Sequence, residues 1–171
     1  MKKIFSLLVV FLLSQGCYAI KYKGFVEAGY GFGVADYWGD AHAGKVSLFT
    51  THGIDINRYL FVGAGAGVEV STYNSVYFGM VVPIYADMRM KLSGKISPYF
   101  DLRIGDMIGA GDTGHALYIH PSVGYRFDIG KDKGIYIGVG YEGVLLPAHI
   151  DADSFFKGNE ESLSLRIGFD F

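Results

Sequence analysis

The sequence predicts an all-β protein, an eight-stranded antiparallel up-and-down transmembrane β-barrel, and three observations carry that prediction. Apolar and polar residues alternate with a period of two in eight separate stretches. Half of the residues are hydrophobic, yet beyond the N-terminus no apolar run is long enough to cross a bilayer as a helix. Glycine and aromatic residues are abundant, with 25 Gly, 13 Tyr and 13 Phe in 171 residues. A period of two puts successive side chains on opposite faces of a strand. Aromatic residues favour such pleated surfaces, and this composition suits neither a soluble nor a membrane helical bundle.

Residues 1–19 read as an export signal, leaving 20–171 as one barrel domain. Met1-Lys2-Lys3 is a basic start, and Ile4 to Leu13 is an apolar run too short for a spanning helix. Ser14-Gln15-Gly16 breaks the run, and Cys17-Tyr18-Ala19 places small residues three and one before a cut after Ala19. A cut after Gly16 would instead leave Cys17 as a lipidated N-terminus, but Ser14 stands where a lipobox wants its leucine, three before the cysteine, with Gln15 next. Cleavage after Ala19 leaves 171 − 19 = 152 residues without cysteine, so disulfides do not hold the exported chain together. It also removes Lys2 and Lys3, leaving 15 − 2 = 13 basic against 17 acidic residues. A net charge of −4 argues against a nucleic-acid partner.

The strands follow in order. Tyr22 to Val34 sets Val26, Ala28, Tyr30 and Phe32 against Glu27, Gly29 and Gly31. Lys45 to Ile56 alternates Val46, Leu48, Ile54 and Ile56 with Lys45, Ser47 and Asp55. Leu60 to Val70 opposes five apolar residues to Gly63, Gly65, Gly67 and Glu69, and Val76 to Met90 opposes Met80, Ile84 and Met88 to Gly79, Tyr85, Asp87 and Arg89. Pro98 to Ile108 sets Phe100, Leu102 and Ile104 against Asp101, Arg103 and Gly105. Leu117 to Ile129 sets Ile119, Val123, Tyr125 and Phe127 against His120, Ser122, Gly124, Arg126 and Asp128. Ile135 to Val144 sets Ile137, Val139 and Tyr141 against Tyr136, Gly138, Gly140 and Glu142. The last stretch, Leu163 to Phe171, is apolar at every odd position and polar or Gly at every even one, at the length a tilted strand needs to cross hydrocarbon.

The connections are too short for crossover helices, so neighbouring strands run antiparallel. Asn57-Arg58, Ser93-Gly94-Lys95 and Gly130 to Gly134 are tight turns, whereas the connections after strands one, five and seven are longer. Short turns at one rim and longer loops at the other is the outer-membrane pattern, with the short rim periplasmic. The connection around Tyr73-Asn74 is short and departs from that trend.

Alternation leaves open which face is outside, since a lipocalin-type barrel buries its apolar face. Glycine gathers on the charged face, where it gains nothing in water but makes room inside a narrow barrel for Tyr85, Tyr136 and Arg166. That face also carries both signs of charge and almost no lysine. It reads as an interior network of Glu27, Lys45, Asp55, Glu69, Asp87, Arg89, Asp101, Arg103, Arg126, Asp128, Glu142, Arg166 and Asp170. Charges in a dry interior must pair. Aromatic residues collect near strand ends on the apolar face, with Tyr22, Phe100, Tyr125, Phe127, Phe169 and Phe171 toward the short rim and Tyr30, Phe32 and Tyr141 toward the other, as a membrane girdle requires.

The runs Pro83-Ile84-Tyr85-Ala86-Asp87-Met88-Arg89, Ser97 to Gly105 and Leu163 to Phe171 resemble those of the small porin-family, OmpA/OmpX-like outer-membrane β-barrel proteins of Gram-negative bacteria. The resemblance spans the chain after its signal. It implies a barrel class, and it carries over no catalytic residue. It also implies that Phe171, preceded by alternating hydrophobic residues including Phe169, resembles the signal read by the outer-membrane assembly machinery. The partners it implies are that machinery, outer-membrane lipid and lipopolysaccharide, with a monomeric barrel.

Candidate chemistry is thin. His120-Pro121-Ser122 has the His-x-Ser spacing of outer-membrane lipid A deacylases, with Glu142 on the next strand. Both side chains read as facing the lumen, however, and the residues flanking the deacylase pair are missing. The loop His149-Ile150-Asp151-Ala152-Asp153-Ser154 suggests a calcium site, but Phe156 and Ser162 stand where the calcium loop needs Gly and Glu. Asp36, Asp40 and His42 are too loosely spaced for a site, and Tyr37-Trp38 and Phe155-Phe156 read as exposed loop aromatics. No cofactor or metal is expected. Eight strands enclose an interior that side chains fill, so no diffusion channel is expected. The function expected is structural or surface-interacting, exercised through extracellular loops and not enzymatic. The alternatives are a lipid A-modifying enzyme using His120 and Ser122, or a narrow, weakly conducting channel.

Overall fold

The computed structural model describes residues 20–36, 44–73, 77–92, 94–109, 114–130, 132–145 and 160–171. Eight strands form in chain order: β1 (Lys21–Asp36), β2 (Gly44–Asp55), β3 (Leu60–Tyr73), β4 (Tyr77–Lys91), β5 (Ile96–Ile108), β6 (His115–Gly130), β7 (Lys133–Leu145) and β8 (Glu160–Asp170). Each pairs antiparallel with its sequence neighbours, and β1 pairs with β8, so the sheet is a closed barrel without a free edge. The proposed export signal and the loop residues Tyr37, Trp38, Asp40, His42, Phe155, Phe156 and His149 to Ser154 lie outside the described residues.

Each alternating stretch forms one strand, but the ladders run on where alternation gives out. β8 begins at Glu160, three residues before the apolar pattern, and β5 begins at Ile96 rather than at Pro98. Backbone pairing needs only N–H and C=O groups, so the strand continues into polar ends that no longer face lipid. β2 stops at Asp55 because Ile56 turns, its N–H donating to the Leu60 carbonyl at 2.9 Å. Asn57 holds that turn by accepting from the Tyr59 and Leu60 N–H groups at 2.8 and 2.9 Å.

Proline leaves its mark on the wall. The β6–β7 register passes from Ile119↔Gly143 to Ser122↔Gly140, and the β3–β4 register from Ala66↔Ile84 to Glu69↔Val81. Both gaps fall where Pro121 and Pro83 supply no N–H to the neighbouring strand.

The two faces separate sharply. Ile84, Val123, Val139, Leu165 and Ile167 are each about half exposed on the outside. Glu27, Asp87, Arg89, Asp101, Arg103, Arg166 and Asp170 are buried inside. Such a wall is stable only against an apolar surrounding, because the outer side chains would otherwise meet water while charges fill the core. All nine girdle aromatics named from the sequence face outward. Asp128 corrects the expected interior set. It is exposed at the short-turn rim, where its Oδ1 accepts from the Gly130 N–H at 2.7 Å and the ladder shifts register between Asp128 and Gly130. The turn draws its side chain out of the lumen, and Arg126 Nη1 approaches it no closer than 3.8 Å.

Candidate functional site

The interior is built in layers. Residues facing inward at matched heights on eight strands meet at the barrel axis, so each layer collects one side chain from several strands. Nearest the short-turn rim, Lys91 Nζ reaches Asp55 at 3.0 Å and Arg126 Nη2 reaches Asp170 at 3.1 Å, while Lys23 pairs with Asp170. Above them lies an aromatic layer of Phe25, Phe61, Tyr99 and Tyr136, packed edge-on with ring centroids 4.8 to 5.4 Å apart.

The middle layer holds three carboxylates, Glu27, Asp87 and Asp101, and three guanidinium groups, Arg89, Arg103 and Arg166, so its formal charges cancel. Arg89 Nη2 donates to Glu27 Oε2 at 2.7 Å and to Asp87 Oδ2 at 2.8 Å. Arg103 also donates to Glu27, and its Nε lies 3.4 Å from Asp101. Arg166 Nη2 donates to Asp101 at 2.8 Å. Arg89 and Arg103 face opposite layers. Arg89 lies 3.9 Å over the Phe25 ring, toward the short rim, and Arg103 lies 4.8 Å from the Tyr85 ring and 5.0 Å from Phe49, toward the other. Each guanidinium thus spends its edge on carboxylates and its face on an aromatic ring, the dual use that favours Arg over Lys in a dry interior.

Beyond them Phe49, Tyr85, Met107, Ala116, Tyr118 and Val144 form a second apolar layer. Gly65 faces Tyr85 there, and a Cβ on it would lie 2.7 Å from two ring atoms. The outermost layer is ionic again, with Lys45 paired to Glu142 and 3.7 Å from Glu69.

The His-x-Ser spacing does not yield a His–Ser pair. His120 is fully buried in the lumen, its Nε2 bonded to Ser164 Oγ at 2.8 Å and its Nδ1 to the Tyr118 hydroxyl at 3.3 Å. Ser122 is bonded elsewhere, donating to Asp101 at 3.2 Å and accepting from Arg166. Glu142 lies a layer away with Lys45. Among the described residues no three His, Cys, Asp or Glu side chains are placed to hold a metal ion.

Several interior residues were not singled out from the sequence, although the signal was there. Phe25, Phe61, Tyr99 and Tyr118 share the parity of Glu27, Gly63, Asp101 and His120, so the period of two already placed them inside. On the outer wall, near the short-turn rim, Tyr22 OH bonds His52 Nδ1 at 2.6 Å and Thr50 Oγ1 bonds His52 Nε2 at 2.9 Å. Both ring nitrogens are thereby satisfied where lipid would offer no partner.

The wall closes between β1 and β8. Gly24 and Phe171 exchange backbone hydrogen bonds of 2.9 and 3.0 Å, and the Phe171 ring lies over Gly24, where a Cβ would come within 2.6 Å of it. Across the same rim Lys21 pairs with Asp132, and Lys23 Nζ donates to the Asp132 carbonyl at 2.9 Å.

Solved structures share this architecture. The crystal structure of Neisserial surface protein A is similar at a TM-score of 0.70 and 13% identity, over 90% of this chain and 98% of that one. The N-terminal β-barrel domain of Pseudomonas aeruginosa OprF is similar at 0.52 and 12% identity, over 87% and 97%. The outer membrane enzyme PagL is similar at 0.51 and 10% identity, over 86% and 98%. No family model matches the chain, and no curated protein matches it. At these identities the likeness establishes the fold, that of the small eight-stranded outer-membrane barrels, which hosts an enzyme as well as other proteins.

Proposed function

We propose that the protein is an integral outer-membrane barrel that acts as a rigid scaffold for its extracellular connections, in a structural or surface-interaction role. The observation carrying this reading is the interior. Among the described residues three ionic and two aromatic layers stack along the lumen, and the central layer is balanced in charge, which suits a support better than a conduit. The chain reaches the membrane by an export signal in residues 1–19, and Phe169 and Phe171 present its closing strand to the assembly machinery. It stands as a monomer among outer-membrane lipid and lipopolysaccharide, with the short-turn rim periplasmic.

The test uses the absence of cysteine from the exported chain. A cysteine replacing Ser154, in the longest connection, is expected to react with a membrane-impermeant maleimide on intact cells. One replacing Arg58, in a short turn, is expected to react only after the outer membrane is permeabilised. Labelling of Arg58→Cys on intact cells would overturn the orientation. Conductance steps from the purified protein in planar bilayers would overturn the closed scaffold in favour of a channel.

A further inference from the structure

At the short-turn rim the lumen opens into a vestibule of about 190 Å³, to which β1 and all three short turns contribute residues. The aromatic layer around Tyr99 and Tyr136 lies behind it, so the vestibule is a blind mouth. Its charge runs against that of the chain. Lys21, Lys23, Arg58, Lys91 and Arg126 line it beside three carboxylates, Asp55, Asp128 and Asp132. With Asp170 beneath them the cations still outnumber the acids, whereas the whole chain carries −2.

Several polar groups here keep hydrogen-bonding capacity that the barrel does not use. Asp55 is engaged by Lys91 at 3.0 Å and Asp132 by Lys21. Arg126 binds Asp170 through Nε and Nη2 at 3.3 and 3.1 Å, which leaves Nη1 3.8 Å from Asp128, beyond hydrogen-bond range. Arg58 stacks on the Tyr59 ring at 4.5 Å, and among the described residues no carboxylate pairs with its edge. Ser97 lies directly opposite Arg126 in the β5–β6 ladder and lines the vestibule. It is 2% exposed, and among the described residues its hydroxyl has no hydrogen-bond partner. A buried polar group without a partner in the protein points to one from outside. Asp128 accepts from the Gly130 N–H with Oδ1, which leaves Oδ2 as an acceptor.

We propose that this vestibule binds inorganic phosphate. Arg126 Nη1, the Arg58 edge and the Ser97 hydroxyl offer donors from different walls of one recess, which suits a tetrahedral oxyanion better than a planar carboxylate. Guanidinium groups hold phosphate oxygens by charge-assisted hydrogen bonds, the strong kind. A recess with an excess of positive charge also concentrates anions at its mouth. Lys23 and Lys91 stay tied to Asp170 and Asp55 and supply field rather than contacts. Asp128 selects among oxyanions, because an ionised carboxylate only accepts and so favours a ligand that still carries a proton. Near neutral pH inorganic phosphate keeps a P–OH to donate to Asp128 Oδ2. Sulfate has none, and a phosphate monoester, with its second pKa at about 6, has lost its own. The site does not depend on which way the barrel faces. With the short rim periplasmic, as proposed above, the phosphate is periplasmic, and it is held rather than conducted.

Calorimetric titration of inorganic phosphate into the folded full chain tests the site. A phosphate-free detergent at about pH 7.5 is used, with about 0.15 M sodium chloride to screen exposed charges. Saturable binding is expected. Arg58→Gln and Ser97→Ala, each checked for folding by gel mobility, are expected to weaken it by about tenfold and about threefold. Lys95→Gln removes the same charge from a turn position outside the lining and is expected to change it by less than about twofold. Sulfate and glycerol 3-phosphate are expected to bind about tenfold more weakly than phosphate. Asp128→Asn, which keeps an acceptor for the Gly130 N–H, is expected to bring the three anions to one affinity. No saturable heat up to about 10 mM phosphate, or equal losses from Arg58→Gln and Lys95→Gln, would overturn the site. Sulfate binding as tightly as phosphate would overturn the selection by Asp128 and with it the ligand. Glycerol 3-phosphate binding as tightly would overturn free phosphate in favour of an ester. None of these outcomes bears on the orientation of the barrel, which the cysteine labelling decides by itself.

Discussion

At the residue scale the interior depends on arginines that cannot lose their partners. Arg89 joins Glu27 and Asp87 and covers the Phe25 ring, all out of contact with water. Replacing it with Leu strips Asp87 of its nearest cation and leaves Glu27 to Arg103 alone, a defect worth about 3–5 kcal/mol when one partner of a buried pair is removed. Urea unfolding of Arg89→Leu in lipid vesicles should show a loss of that order, and Glu27→Leu in the same chain should return part of it. A loss below 1 kcal/mol would show that the layer is hydrated rather than paired. The His120 and Ser122 pattern illustrates what spacing cannot convey. Two residues apart on one strand face the same way, but which neighbours they meet depends on the strands alongside, and here Ser164 and Asp101 intervene. Replacing both His120 and Ser122 with Ala is expected to leave the acylation of lipid A in the host membrane unchanged by mass spectrometry. An altered acylation pattern would restore the enzyme reading.

At the element scale the strands were legible because a wall between hydrocarbon and a polar lumen forces a period of two on every strand that crosses it. What alternation left out lies at strand ends. Asp128 fits the parity of Arg126, yet a turn hydrogen bond and a register shift take it outside, and neither leaves a trace in periodicity. The seam between β1 and β8 was expected from the need to close the sheet, but its fit was not, because Gly24 and Phe171 stand at opposite ends of the domain. Gly24→Val would drive a side chain into the Phe171 ring, an overpacking that typically costs about 1–3 kcal/mol. A reduced folded fraction after refolding in detergent, read as heat-modifiable gel mobility, is expected, with recovery on adding Phe171→Ala, since refolding in detergent bypasses the assembly machinery. At the same rim the Lys21 hydrogen bond and charge hold the Asp132 carboxyl below the usual carboxylate range. Its folded value is depressed, so the tie is fully present above the unfolded carboxylate pKa of about 3.9 and is released as pH falls through the lower folded value. NMR titration should place the Asp132 midpoint below that reference, and Lys21→Met should raise it.

At the scale of the whole molecule, the layers stand in series along one axis, and this ordering decides what the barrel can transmit. An ion moving from rim to rim must pass the Phe25, Phe61, Tyr99 and Tyr136 layer, then the carboxylate–guanidinium layer, then the layer around Phe49, Tyr85 and Tyr118. Barriers in series are set by the tightest that remains, so removing one layer changes little while the next stays closed. The central layer is closed by charge pairing rather than bulk, since Arg89 and Arg103 each join Glu27 of β1 to a carboxylate of their own strand, Arg166 reaches from β8 to Asp101 of β5, and an entering ion would have to displace a partner held at 2.7 or 2.8 Å. Tyr99→Gly with Tyr136→Gly, which opens only the lower aromatic layer, should therefore stay silent in planar bilayers. So should Phe49→Gly with Tyr85→Gly, which opens only the upper one. Conductance steps are expected when both pairs of changes are combined with Glu27→Ser, Arg89→Ser and Arg103→Ser, provided that gel mobility shows the barrel still folded. Steps from either two-residue variant alone would mean that the central layer yields to ions, and the barrel would then have to be read as a gated channel whose gate is aromatic.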